Sequence, residues 1–184
     1  MSQPTADVSV RVAWAADAVE IARVQVHGWR RGYADLLPAE VLDSLDEEAF
    51  AAQWEQAITK PADARHRALV ALDRATVVGF ALTAPADDPD ADPVKDGQVA
   101  EIVVDHDRLG QGHGSRLITA CADTLRADRF ERATCWLTST DDALRTFLEA
   151  AGWAPDGAHR ELDLTGDGSV TVKQVRLHTD LRED

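Results

Sequence analysis

A single domain of mixed α/β class is what this sequence predicts, and three observations predict it. The chain has 184 residues, enough to bury one core without help from disulfides or metals. Its periodicities run in the order strand, helices, two hairpin strands, strand, helix, strand, helix and closing hairpin, which gives a mixed sheet rather than a strictly alternating βα succession. A glycine turn at 110–114 carries a buried strand into an amphipathic helix. The domain is expected to span residues 1–184, with the first few residues flexible and an exposed acidic loop at 85–97.

The elements follow in order. Val8 to Val12 alternate as a short strand. Asp17 is placed to cap a helix carrying Val19, Ile21, Ala22, Val26 and Trp29 on one stripe. Pro38 opens a short helical piece through Leu45, and Asp46-Glu47-Glu48 starts a longer one whose Phe50, Trp54, Ala57 and Ile58 share a face until Lys60-Pro61 stops it. Strand periodicity then takes over in Ala68 to Leu72 and Thr76 to Leu82, joined at Asp73-Arg74 as a hairpin. Residues 85–97 hold five aspartates and three prolines, too polar to bury much surface. Val99 to Val104 is a strand, and a helix from about Gly114 to Arg126 aligns Leu117, Ile118, Cys121, Ala122 and Leu125. Thr134 to Leu137 makes another strand. Thr140 or Asp141 caps a helix that ends at Gly152, and the chain closes with Arg160 to Leu164, a turn at Gly166-Asp167-Gly168 and a strand from Val170 to about Thr179. Val170 and Val172 are out of phase with Val175 and Leu177, so a bulge near Lys173 or Gln174 is expected.

Composition narrows the function. The chain carries 33 acidic against 19 basic residues, a formal charge of -14, so a nucleic-acid backbone is repelled over most of the surface and is not an expected partner. A cationic amine would not be repelled, although an acidic surface serves solubility equally well. No apolar run has transmembrane length and no secretory leader is legible, so no membrane partner is expected and the cytoplasm is the expected compartment. Cys121 and Cys135 fall on core faces and read as packing. No cluster of His, Cys and carboxylates has metal-ligand spacing. Nothing in the chain sets its oligomeric state, for which a homodimer is the general prior.

The glycine turn carries the chemistry. In Val104-Asp105-His106-Asp107-Arg108-Leu109-Gly110-Gln111-Gly112-His113-Gly114-Ser115, alternate residues lack a Cβ, so backbone N–H groups can converge on an anion while the first helical turn adds unpaired donors and the positive end of its dipole. A diphosphate fits such a nest. The dinucleotide fingerprint needs a third glycine three residues after the second, and that place is Ser115 or Leu117. A P-loop needs Gly-Lys followed by Ser or Thr, which is absent. What remains is a coenzyme A pyrophosphate loop, or a turn that only closes a tight corner.

From Glu101 to Trp153 the chain resembles the core of the GNAT superfamily of acyl-CoA-dependent N-acyltransferases. That family has an Arg-Gly-x-Gly-x-Gly or Ala turn and, later, a Phe-Tyr-Glu-x-x-Gly-Phe-like stretch. Here Leu109-Gly110-Gln111-Gly112-His113-Gly114 and Phe147-Leu148-Glu149-Ala150-Ala151-Gly152-Trp153 stand in those places. The N-terminal part, with His27-Gly28-Trp29-Arg30, Tyr33 and Leu36-Leu37-Pro38, is similar to many bacterial members. The resemblance implies a mixed, mostly antiparallel central sheet with a splayed strand pair, flanked by helices. It also implies acetyl-CoA as cofactor and transfer of an acetyl group to a primary amine, on a small molecule or a peptide, by direct attack in a ternary complex. Ile102, Val103 and Val104 would pair with the pantetheine from the splayed strand, an amide near Val104 would polarise the thioester, and Leu109, Gly110, Gln111, Gly112, His113, Gly114 and Ser115 would hold the pyrophosphate. Asp141 stands where many members place an asparagine facing the pantetheine, and a helix cap accounts for it equally.

Two positions depart from the family. Leu109 replaces the usual Arg or Gln, with Arg108 one place early, and Leu148 replaces the tyrosine that in many members protonates the thiolate. An ammonium must lose its proton before attacking a thioester, at a cost of roughly 4 to 5 kcal/mol at neutral pH. Glu101 is the candidate base, unless it is an ordinary polar residue on the exposed side of its strand. His106 and His113 lie in the phosphate-side loop, away from the thioester. A thiol with a pKa of about 8.5 leaves with modest acid assistance. Tyr33, the single tyrosine of the chain, is either that acid or, with Trp29, a wall of the acceptor pocket. The competing functions are a CoA-binding regulatory module that has lost turnover and a nucleotide-binding oxidoreductase domain.

Overall fold

The computed structural model describes residues 8–182, so the expected flexibility of the first few residues lies outside the described part. The strands are β1 (Val8–Val12), β2 (Arg67–Asp73), β3 (Thr76–Pro85), β4 (Asp96–Val104), β5 (Arg132–Thr138), β6 (Ala154–Asp163) and β7 (Thr171–Asp180). They form one sheet in the order β1-β2-β3-β4-β5-β7-β6. The helices are α1 (Ala18–Gly32), α2 (Ala39–Asp43), α3 (Glu47–Thr59), α4 (His113–Ala127) and α5 (Asp142–Ala150). By its contacts the chain divides into two compact units that it enters alternately, residues 1–83 with 101–121, and residues 84–100 with 122–184.

In the first unit β1 pairs antiparallel with β2, and β2 antiparallel with β3, with a register shift between Ala71 and Leu72. Arg74, at a φ of 55°, makes the tight turn between them. The strands' β-branched and aromatic residues pack on the helical stripes: Val70, Leu72, Val77 and Phe80 close against Ile21, Ala22 and Val24 of α1 and Trp54 of α3. Each such side chain contributes about 1.5 to 3 kcal/mol on burial. Asp46 caps α3 as expected, its carboxylate accepting from Glu48 N–H at 2.9 Å. Asp17 does not cap α1: its carboxylate accepts from the Arg11 guanidinium at 2.6 and 3.0 Å and from Trp14 N–H at 2.7 Å. A full charge six residues upstream competes for the oxygens that a cap would use.

In the second unit β4 pairs parallel with β5 over four positions, from Asp96↔Arg132 to Val99↔Cys135. β5 and β6 each pair antiparallel with β7, so the sheet is mostly antiparallel with one parallel pair. Asp141 caps α5, accepting from Leu144 N–H at 2.9 Å. Val99, Leu125, Phe130, Cys135, Leu137, Leu148 and Leu177 are buried, and neither cysteine forms a disulfide.

Two expectations for this unit are corrected. The bulge lies in β6, between Pro155 and His159, while β7 keeps regular register with β5 from Thr138↔Gln174 to Arg132↔Asp180. The phase of Val172 continues into Gln174 and Arg176, which are buried polar residues; hydrophobicity alone misread a face that is buried in a polar network. The stretch 85–97 is likewise not a uniformly exposed acidic loop. The Asp88 side chain is 6% exposed and that of Arg176 5%, paired at 3.2 Å. Arg176 also bonds Asp156 at 2.7 Å and Asp90 at 2.6 Å, and Trp136 donates its indole N–H to Asp88 at 3.0 Å. Arg160 completes the cluster, 4.2 Å over the Trp136 ring.

Candidate functional site

The first unit assembles one polar site where α1 crosses β4. Close approach is set by Gly28: a Cβ there would lie 2.8 Å from Val103 Cγ1. Gln25 and Trp29, one turn apart on α1, thereby face the start of the second half of β4. Gln25 Nε2 donates to Glu101 Oε2 and Trp29 Nε1 to Glu101 Oε1, each at 2.8 Å. Both carboxylate oxygens of Glu101 are thus hydrogen-bonded. Burial pushes its pKa up from the usual carboxylate value, opposed by the hydrogen bonds from Trp29 and Gln25.

Tyr33 follows α1 and meets Trp29 edge-on at 6.3 Å between ring centroids. Trp29 is held in turn by Phe50, also edge-on, at 5.3 Å. Burial raises the pKa of the Tyr33 phenol, and the charge of Glu101 raises it further, so the hydroxyl keeps its proton at neutral pH. Glu101, Trp29 and Tyr33 are therefore brought together.

Beyond Glu101, β4 continues through Ile102, Val103 and Val104, and a short 3-10 turn at His106–Arg108 leads to the glycine turn. Asp105 Oδ1 accepts from Asp107 N–H at 3.3 Å and starts that turn. Gly110 and Gly112 take φ of +73° and +82°, a region that costs an L residue roughly 1 to 2 kcal/mol. A Cβ on Gly110 would meet no atom of the other residues within 4 Å, so the protein leaves open space beside that glycine. The first amides of α4, from His113, Gly114 and Ser115, have no intrahelical acceptor by helix geometry and carry the positive end of the dipole. Gln111 and Ser115 are exposed at this end.

Three side chains near the turn differ from what the sequence invites. Arg108 is turned away, its Nη1 bonded to Asp73 at 2.7 Å, and Leu109 is 55% exposed. His113 is 1% exposed, and its two ring nitrogens have no hydrogen-bond partner among the described residues. Burial lowers its pKa, so the ring is neutral and only its backbone N–H faces the turn. The cation at the turn is Arg116, whose Nη1 lies 2.7 Å from the place of a Gly112 Cβ and 3.5 Å from the Gln111 carbonyl. Arg116 was missed in the sequence, where its place in the first turn of α4, four residues after Gly112, was the available signal. Gln25 was missed as well, because its side chain breaks the apolar stripe of α1 without any motif around it. Asp141, in the second unit, holds the cap already described, and Leu148, in the place of the family tyrosine, is fully buried.

Among the described residues no group of three or more His, Cys, Asp or Glu side chains could hold a metal ion, and no helix is long and apolar enough to cross a membrane.

Residues 26–153, well over half of the chain, match the acetyltransferase (GNAT) family. The chain is 28% identical over 172 residues to the uncharacterized N-acetyltransferase YuaI of Bacillus subtilis, covering 92% of this chain and 91% of that protein. The structure resembles the ribosomal-protein-S5-alanine acetyltransferase of Vibrio fischeri with a TM-score of 0.72 at 16% identity, over 100% of this chain and 98% of that one. It resembles yncA of Salmonella typhimurium, solved with its cofactor acetyl-CoA, with a TM-score of 0.71 at 17% identity, over 96% of this chain and 95% of that one. At these identities the structural likeness speaks for the fold.

Proposed function

We propose that this chain, which belongs to the acetyltransferase (GNAT) family and is an acyl-CoA-dependent acetyltransferase, transfers the acetyl group by direct attack of a primary amine on acetyl-CoA in a ternary complex. The observation that carries the reading is the placement of Glu101: a half-buried carboxylate on the strand that leads into the glycine turn, held by two N–H donors.

The turn suits acetyl-CoA by three features: open space beside Gly110, first-turn amides of His113, Gly114 and Ser115 that helix geometry leaves without an intrahelical acceptor, and the Arg116 guanidinium beside Gly112. Gln111 and Leu109 border the same turn, and Ile102, Val103 and Val104 offer the strand backbone for the pantetheine. When bound, acetyl-CoA supplies the activated carbonyl. Glu101, its pKa raised by burial, accepts the proton of the incoming ammonium directly or through one water. A backbone N–H near Val104 would polarise the thioester oxygen. The departing thiolate, with a pKa of about 8.5, takes a proton from solvent or from the amine as it becomes an amide, so the absence of a tyrosine at Leu148 does not stop turnover.

Trp29 and Tyr33 wall the acceptor side, and the phenol of Tyr33 retains a proton that can assist the leaving group. The acceptor is a small-molecule or peptide amine. We place the enzyme in the cytoplasm, supported by two buried cysteines that form no disulfide, with burial pushing the Cys135 thiol up to about 12, and we take a homodimer as its assembly. Release of free thiol from acetyl-CoA against a broad panel of primary amines tests the reading. Amine-dependent release supports it. Tight acetyl-CoA binding with no release from any amine favours a CoA-binding regulatory module instead.

A further inference from the structure

The polar chain behind Glu101 starts in the hydrophobic core. Trp54, buried in α3 and set edge-on against Phe80 at 5.2 Å between centroids, donates its indole N–H to Gln25 Oε1 at 2.8 Å. An indole has one donor and no acceptor. That bond therefore leaves the Gln25 amide one orientation, with its oxygen toward Trp54 and its NH2 toward Glu101, where Nε2 donates at 2.8 Å. The second oxygen of Glu101 accepts from another indole, that of Trp29, at 2.8 Å. Each carboxylate oxygen meets a donor, and neither donor can turn into an acceptor: one is an indole, and the other is an amide locked by an indole. Gln25 is itself buried, so water does not substitute for either of its partners at low cost.

We propose that Gln25 is a positioning residue for Glu101: the Trp54 indole fixes the amide, and the amide fixes the rotamer of the carboxylate and its readiness to ionise. The inference rests on the reading of Glu101 as the base. Burial alone favours the neutral acid, which cannot take a proton; two fixed donors favour the carboxylate and offset that burden. If the amide were free to rotate, its oxygen would face Glu101 and stabilise the protonated form. The other groups around the site leave this balance to the two donors. Tyr33 is the titratable side chain that interacts with Glu101, and His27 and Arg30 of α1 are turned to Glu47. The remaining lone pairs of Glu101 stay available to an ammonium or a relay water.

A 13C-carboxyl NMR titration of glutamate-labelled protein tests this, with Glu101→Gln identifying the resonance. In Gln25→Leu the Glu101 midpoint moves up by about one pH unit, the scale of losing one hydrogen bond to a charged group. Trp54→Phe keeps a ring against Phe80 and deletes only the N–H, so its midpoint moves in the same direction by less; it decides the matter where Gln25→Leu folds poorly. In both variants kcat for thiol release with the best amine of the panel falls about tenfold at neutral pH while the KM for acetyl-CoA stays put. A Glu101 midpoint unchanged in both overturns the role of Gln25. Loss of turnover in Glu101→Gln alongside unchanged Gln25→Leu overturns the positioning alone, whereas full turnover in Glu101→Gln overturns the base and its positioning together.

Discussion

Arg108 Nη1 sits 2.7 Å from Asp73 Oδ2, so the basic residue just ahead of the glycine turn is committed to the β2–β3 hairpin. The cation left for a bound diphosphate is Arg116. Arg108→Gln should therefore leave acetyl-CoA affinity within about twofold and cost at most about 1 kcal/mol of stability, as for other partly exposed pairs. Arg116→Ala should weaken acetyl-CoA about tenfold, the scale of one charge-assisted contact. Gly112→Asp should abolish measurable binding, since the position has a φ of +82° and the added carboxylate repels the diphosphate. Calorimetric titration of acetyl-CoA into the three variants checks the order.

Tyr33 is tested by Tyr33→Phe, which keeps the edge-on packing on Trp29 and removes the hydroxyl. A pocket wall predicts a raised KM for the acceptor with kcat within about threefold. A fall of kcat by about a hundredfold or more would make the phenol the acid of the leaving step, within the usual range for such catalysis.

Much of this architecture was legible before any coordinates. The helix starts at Asp46 and Asp141, the hairpin at Asp73-Arg74 and the strand-to-helix corner at Gly110 to Gly114 are local events, in which a side-chain oxygen or a missing Cβ acts within a few residues. The pairing of Glu101 with Trp29 was half legible, since both residues were singled out but not their bond. What escaped were choices settled between distant segments. Asp17 looks like a cap until Arg11 claims it, and Gln174 and Arg176 look like the wrong phase of a strand until Arg160 satisfies the first and Asp88, Asp90 and Asp156 the second. Arg108 is drawn away from the turn because Asp73, thirty-five positions from it in sequence, is near in space.

The polar cluster of the second unit predicts a stability effect. Burial opposes ionisation of Asp156, and the Ala158 N–H and Arg176 together outweigh it, so that its pKa ends below the usual value. Asp90 is drawn down to about 2, chiefly by its hydrogen bond from Arg176. Arg176→Leu strands Asp88 and Asp156 as buried charges with only Arg160 and Arg132 beside them. A loss of about 3 to 5 kcal/mol is the expected cost of removing one partner of a buried pair. Urea unfolding at neutral pH measures it, and a loss below 1 kcal/mol would mean that the cluster is solvated.

Asp17 gives a pH-dependent stability with a definite sign. The Arg11 hydrogen bond holds its pKa below the unfolded value of 3.8, so the folded state releases this proton more readily than the unfolded state. Its contribution is complete well above that unfolded value and is lost as pH falls through the folded one. Asp17→Asn should therefore cost about 1 to 3 kcal/mol at pH 7, the worth of a hydrogen bond to a charged group. The difference from wild type should shrink in acid. Chemical denaturation at neutral and acid pH compares the two, and a constant difference would exclude the ion pair as its source.

The central claim is that Glu101 takes the proton of an attacking amine on an enzyme that holds acetyl-CoA at its glycine turn. Steady-state thiol release by wild type and Glu101→Gln, measured with one active amine and beside direct acetyl-CoA titration of both proteins, tests it most directly. The predicted result is a loss of kcat of at least about a hundredfold with cofactor affinity unchanged; equal kcat in the two proteins would contradict it.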